Sequence, residues 1–196
     1  MNLKQTPSQT VGPYFAFGLT AEQYGYPLTS IAGASLGRSD TEGERVRIEG
    51  RVLDGAGKPI DDALVEIWQA DAQGRYAHPA DPRGSNAAFK GFGRMGTGTD
   101  PENRFIFDTI KPGSVDGKQA PHISVILTMR GMLVHAFTRI YFSDETAANA
   151  KDPVLAAVPP ERRDTLIAHR TETPGGIVYR FDIHMQGPKE TVFFDA

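Results

Sequence analysis

From Ile177 to Met185 every second residue is large and apolar: Ile177, Tyr179, Phe181, Ile183 and Met185. A backbone whose side chains alternate between two sides is a β-strand, and one apolar side means one buried face. The same period runs through Val46, Ile48 and Val52, set against Arg47, Glu49 and Arg51, and through Ile123, Val125, Leu127 and Met129. Half-buried strands need a second apolar face to cover them, so the pattern predicts stacked sheets. Ala63–Ala70, with Val65, Ile67 and the only tryptophan, Trp68, reads as another strand, as do Asn103–Asp108, Leu133–Phe142 and Thr191–Asp195. A short turn at Gly131 predicts a hairpin between 121–130 and 133–142. One helix is expected from Pro159 to His169, because that stretch opens on proline and acid and closes on basic residues. The expected fold is all-β: an antiparallel β sandwich with one or two peripheral helices.

The chain has 196 residues, enough for one domain with a real core. Its 21 glycines and 14 prolines suit many short strands joined by turns. Residues 1–45 carry neither period, yet they hold aromatics at Tyr14, Phe15 and Phe17. Aromatics favour burial, so 1–45 is expected to be an arm that docks on this chain or on a partner, with 46–196 as a single sandwich domain. The absence of cysteine excludes disulfide frameworks and thiolate metal sites. A net charge of −3 without a basic stripe argues against nucleic acid or an anionic membrane as partner. No apolar run approaches a membrane span, and Met1–Pro7 has no apolar core of the signal-peptide kind, so a cytoplasmic protein is expected.

Two glycine-bearing motifs lack their structural context. Gly33-Ala34-Ser35-Leu36-Gly37 fits the hydrolase pattern around a nucleophilic serine, but a strand must precede Ser35 and a helix must come after it, and both flanks read as loop. Gly91-Phe92-Gly93-Arg94-Met95-Gly96 fits a dinucleotide fingerprint, but Thr97–Pro101 beyond it is a turn rather than a helix, so the motif reads as a glycine-rich connection. His122 and Ser124 share one face of their strand. A His-x-His pair there would present two imidazoles to a metal, and this chain has His-x-Ser. His78, His135, His169 and His184 read as structural or solvated, with His169 at the helix end. Nothing in the spacing of Glu66, Asp182 and His184 requires a site.

Gly74-Arg75-Tyr76, Gly93-Arg94, Thr109-Ile110-Lys111-Pro112-Gly113, Ala120-Pro121-His122-Ile123, Tyr141-Phe142 and Tyr179-Arg180-Phe181-Asp182-Ile183 succeed one another in this order. With the Thr6–Thr10 and Gly12-Pro13-Tyr14 arm and the Glu190–Asp195 end, the chain resembles the intradiol ring-cleavage dioxygenases over nearly its whole length. In that family two tyrosinates and two histidines hold Fe(III), and phenolate is a hard donor that stabilises the ferric state. Transferred residue by residue, the ligand positions fall on Tyr76, Val115, His122 and Ser124. Two of the four are not ligands, and Asp116–Gln119 lacks the arginine and tryptophan expected ahead of the histidine.

The resemblance therefore implies an iron-free α chain, with no metal ligand and no catalytic residue of its own. A homologous β chain would hold the Fe(III), and the pair would cleave protocatechuate, a carboxylate-bearing catechol, with O2 to 3-carboxy-cis,cis-muconate. It also implies that the arm, at Thr10, Gly12, Pro13 and Tyr14, walls the partner's pocket, and that a cation from this chain approaches the acidic substrate. Arg130, in Met129-Arg130-Gly131, is the candidate for that implied cation; eight residues of straight strand put it roughly 26 Å from His122, too far to serve a pocket there. A solvated arginine beside a turn is the plain alternative. Two other readings of the chain stay open: an iron enzyme in its own right using Tyr76 and His122 with water or another chain's ligands, and a β-sandwich binding module with no such partner.

Overall fold

The computed structural model describes residues 4–12, 14–84 and 86–195. Among them nine strands form in chain order: β1 (Arg45–Leu53), β2 (Leu64–Gln69), β3 (Phe92–Gly96), β4 (Arg104–Ile110), β5 (His122–Thr128), β6 (Ala136–Phe142), β7 (Ile167–Thr173), β8 (Gly176–Arg180) and β9 (Ile183–His184). They are hydrogen-bonded in the order β3-β2-β5-β6-β7-β8-β1-β4, with β9 alongside β1. The path makes two layers. β3-β2-β5-β6 is antiparallel throughout, β8-β1-β4 is the other layer, and β7 passes between them by pairing with β6 through only Tyr141↔Ile167 and Phe142↔Ala168. The alternating apolar residues meet in one core, with Val65, Ile67, Ile123, Val125 and Leu127 from the first layer and Ile48, Phe105, Phe107 and Tyr179 from the second.

The pairing is not wholly antiparallel, as the sequence pattern suggested. β1 runs parallel to both β8 and β9, and β6 runs parallel to β7. Parallel neighbours need a long connection, and β1 and β8 are separated in sequence by the whole first layer. The clean alternation from Ile177 to Met185 also breaks into two strands. Gly50 of β1 explains it: a Cβ there would stand 1.7 Å from the Phe181 carbonyl oxygen. The chain crosses at that point, with the Phe181 N–H donating to Glu49 O and Asp182 Oδ1 accepting the Arg51 N–H.

The expected helix at Pro159–His169 is a 3-10 helix over Pro160–Leu166, and Ile167–His169 already belong to β7, so His169 does not end a helix. Arg163 donates back to the carbonyls of Val158 and Ala156, which satisfies acceptors that a longer α-helix would have used. The other helices are short: α1 (Phe15–Leu19), α2 (Thr146–Asn149), α3 (Pro153–Ala157) and a 3-10 turn at Ala21–Tyr24. Gly91–Gly96, read as a connection, is largely β3, and Thr191–Asp195 contributes only a bridge between Phe137 and Phe194. Part of 1–45 lies on the chain's own sheets. Leu36 is fully buried, and Gln23 exchanges two hydrogen bonds with the Gly96 backbone, which covers the edge strand β3. No helix among the described residues is long and apolar enough to cross a membrane.

Candidate functional site

The outer face of β2-β5-β6 carries the positions that the sequence singled out. Trp68 pairs with Ser124, Ser124 with Arg139, and His122 with Tyr141, so all five side chains leave the sheet on the same side. Tyr76 comes from the loop after β2 and stacks on Trp68, with ring centroids 5.6 Å apart and planes 8° from parallel. That loop is clamped to the segment around Val115. The Tyr76 N–H donates to Asp81, Asp81 pairs with Arg83, and Arg83 donates to the carbonyls of Gly74 and Val115. Gly74 has φ +77°, and a Cβ on it would lie 1.9 Å from Ser114 O, so only glycine lets the two loops touch here.

Burial and a nearby guanidinium set the electrostatics of this face. Burial pushes the Tyr76 phenol up, partly countered by Arg139 and Arg83, so the ring stays protonated. Burial pushes His122 down; its bond to Ala120 O works against that, and Arg139 adds to it. His122 Nδ1 lies 2.8 Å from the Ala120 carbonyl. A carbonyl can only accept, so Nδ1 carries the hydrogen of a neutral imidazole. Its neighbour Tyr141 is pushed up to about 12, chiefly by burial and further by Asp152. Asp152, fully buried, accepts from the Tyr141 hydroxyl at 3.1 Å, the Ala120 N–H at 2.8 Å and the Leu155 N–H at 2.7 Å, the last as the N-cap of α3. At the four inherited positions one protonated phenol and one imidazole lone pair remain, with Val115 contributing nothing and Ser124 a weak hydroxyl. A guanidinium stands among them. A ferric ion does not suit that set. Among the described residues no group of three or more His, Asp or Glu gathers elsewhere.

Arg139 is the residue that sequence reasoning missed. It donates to the Gln119 side-chain oxygen at 2.8 Å, and its charge bears on both Tyr76 and His122. The guanidinium on this face thus comes from β6, beyond His122 in the chain, while Asp116–Gln119 supply none. A cavity of about 470 Å³ opens at the loop after β2, lined by Trp68, Tyr76, His78, Ala80, Asp81, Pro82 and Arg83.

The far end of β5 is different. The Gly131 N–H donates to the Thr10 hydroxyl at 2.8 Å, which brings the arm onto the β5–β6 turn beside Arg130. Arg130 is ion-paired with Asp62, which holds its guanidinium still more firmly charged, and its side chain stays 56% exposed. Gly12 and Tyr14 are exposed, and Pro13 lies outside the described residues. Arg130 lies past the end of β5 rather than continuing it. Ser35 sits next to the buried Leu36 with its hydroxyl on Gly37 O, in no strand-to-helix elbow. His78 accepts from the Ala80 N–H and lines the cavity beside Tyr76, whereas His135 packs edge-on against Phe137 and Glu66 is paired with Arg94, so these two join no site.

A two-layer β fold with these positions on the outer face of β5 is the plan of the intradiol dioxygenases, and the chain belongs to that family: residues 12–187 match Dioxygenase_C, described as dioxygenase. More narrowly, it is 54% identical to the protocatechuate 3,4-dioxygenase alpha chain of Burkholderia cepacia, over 99% of this chain and 98% of that one. It is 45% identical to the alpha chain of Pseudomonas putida over 98% and 97%. Identity to the Burkholderia cepacia beta chain is 37%, over 76% of this chain and 67% of that one. Among solved structures, the dioxygenase domain of a carbohydrate-binding fusion protein from Streptomyces sp. SirexAA-E matches with TM-score 0.59 and 26% identity, over 96% of this chain and all of that domain. 3-Chlorocatechol 1,2-dioxygenase of Rhodococcus opacus 1CP, at 23% identity and TM-score 0.59 over 81% and 69%, shares the fold.

Proposed function

We propose that this chain is the iron-free alpha subunit of a cytoplasmic protocatechuate 3,4-dioxygenase, which cleaves protocatechuate with O2 to 3-carboxy-cis,cis-muconate in aromatic catabolism. The observation that carries the reading is the donor set: Val115 and Ser124 stand where a phenolate and an imidazole are needed, in a chain otherwise so close to the alpha chains. The family uses iron, and in this reading a homologous beta chain holds it. The work left to this chain is positioning. Residues 1–45 form the arm, and Thr10, Gly12, Pro13 and Tyr14 line the partner's pocket and exclude water from it. Arg130 offers a guanidinium whose planar fork matches the substrate carboxylate in two parallel hydrogen bonds. It exchanges Asp62 for that carboxylate when substrate binds. Support for these roles is the Thr10 bond to the turn that carries Arg130, and the exposure of both Arg130 and Tyr14.

The test is co-purification with the cognate beta chain, then iron content and protocatechuate turnover of the complex and of each chain alone. The expected result is a colourless, inactive chain by itself and an iron-bearing, active complex. Stoichiometric iron with turnover in this chain alone would overturn the reading.

A further inference from the structure

A substrate that meets Arg130 through its carboxylate leaves as a product that still has that carboxylate. Ring cleavage with O2 turns both hydroxyl-bearing carbons into carboxylates and does not touch the acid group already there. An arginine that holds the one therefore holds the other, unless something takes the guanidinium back, and slow product release limits many enzymes.

The chain carries a group able to do so. Asp62 lies in the loop between β1 and β2, close ahead of β2, and accepts from Arg130 Nε. Its base is fixed. Thr97, fully buried just past β3, donates its hydroxyl to Ile60 O at 2.7 Å and its N–H to Ala63 O at 2.9 Å, and it accepts the Ala63 N–H at 3.2 Å. The backbone on both sides of Asp62 is thus pinned, while Arg130 reaches it from the exposed turn after β5. The contact between them is one-pronged. Arg47, Arg83 and Arg104 each grip their aspartate with both Nε and Nη2. Arg130 uses Nε alone, and among the described residues its Nη groups bond to no acceptor. A planar fork held by one edge keeps its other edge open to a second anion. An incoming carboxylate can settle on the Nη edge before Asp62 lets go, and Asp62, tethered beside it at high effective concentration, can return before the anion leaves. Exposed pairs of this kind are weak, so the exchange runs in both directions.

We propose that Asp62 is a positioning residue for release: it competes with the carboxylates of substrate and product for Arg130 and returns to the guanidinium as product departs. This assignment rests on Arg130 meeting the substrate carboxylate, as read above. The step is an exchange of ion pairs, with no covalent bond made or broken.

The complex with the beta chain is compared with one carrying Asp62→Asn, which keeps the shape of the side chain and removes its charge. Calorimetry without O2 reads the affinities for protocatechuate and for 3-carboxy-cis,cis-muconate, and steady-state kinetics reads KM and the product inhibition constant. All four constants should tighten about fivefold in the variant. Catechol, which has no carboxylate, should bind both complexes equally, and Asp62→Glu should stay close to the unsubstituted complex. Unchanged or weaker product affinity in Asp62→Asn overturns the proposal, as does an equal gain for catechol or an Asp62→Glu complex that behaves like Asp62→Asn. In the chain alone, the Arg130 Nε–H resonance should exchange slowly with water and lose that protection in Asp62→Asn. No protection in the unsubstituted chain overturns the proposal, and this measurement decides should the variant not fold. Failure of the unsubstituted complex to turn over protocatechuate would instead overturn the alpha-subunit reading, and this assignment with it.

Discussion

At the start of β5, His122 is 5% exposed and its one ring hydrogen is spent on the Ala120 carbonyl, while Tyr141 beside it is tied to the buried Asp152. Past the other end of the same strand, Arg130 faces solvent with a single carboxylate partner, and Tyr14 of the arm that reaches this turn is 78% exposed. One end has had its polar groups satisfied from within the chain. The other has kept them on the surface. Groups already hydrogen-bonded inside a fold have little left to offer a metal, and groups left open still have everything to offer a partner. In the proposed reading, the closed end has given up metal binding and the open end serves the partner, with the same sheet between them.

Removing the carboxylate that fixes the closed end is expected to have the largest effect. Asp152→Ala leaves the Ala120 and Leu155 amides and the Tyr141 hydroxyl without an acceptor, an expected loss of about 3 kcal/mol, read from urea midpoints. A loss under about 1 kcal/mol would mean that water enters and the end is not sealed. At the open end, Arg130→Ala should leave the unfolding midpoint where it is and raise the KM for protocatechuate of the assembled enzyme about tenfold, with a smaller change in kcat. An unchanged KM would remove the contrast between the two ends.

His122 gives a pH test. Burial lowers its pKa in the folded chain, so below the unfolded value near 6.5 the unfolded state binds the extra proton. Stability should therefore fall as pH drops from about 6.5 toward the folded pKa, by no more than about 1.4 kcal/mol per pH unit from this group. His122→Asn, which can keep a donor on Ala120 O, should flatten that decline between pH 7.5 and 5.5, and an unaltered slope would assign it to other groups. The smallest effect is expected for Thr10→Val. The Gly131 amide should exchange with solvent faster, with about 0.5 kcal/mol or less lost, since water replaces the lost acceptor.

How much of the fold can be read in the sequence depends on which side chains face inward. β1 and β5 announce themselves because one face of each meets the core: their apolar residues alternate without a gap in β5, and in β1 only Gly50 interrupts Val46, Ile48 and Val52. β3 does not, because Gly93 stands where an apolar residue would face Leu36 and Phe107, leaving only Met95 on that side to signal the core. β7 reads Ile-Ala-His-Arg-Thr-Glu-Thr, mostly polar, and its opening merges with the apparent helix that the proline-rich stretch before it suggests. The absence of two metal donors is legible position by position, because Val115 and Ser124 are plain substitutions. Arg139 is not, since an outward arginine on a half-buried strand looks solvated. A signal exists all the same: a hairpin turn centred between Gly131 and Met132 pairs Ser124 with Arg139 directly. Asp152 gives none, for its three donors come from segments far apart in sequence or from a cap only the folded chain creates.

The ion pair between Arg130 and Asp62 has a consequence for the life of the chain before it meets anything else. A bare guanidinium on an exposed turn would invite any passing polyanion. In the proposed assembly that aspartate must give way before a substrate carboxylate takes the cation, and a carboxylate offering two oxygens in one plane competes best, so the unassembled chain already screens its anions.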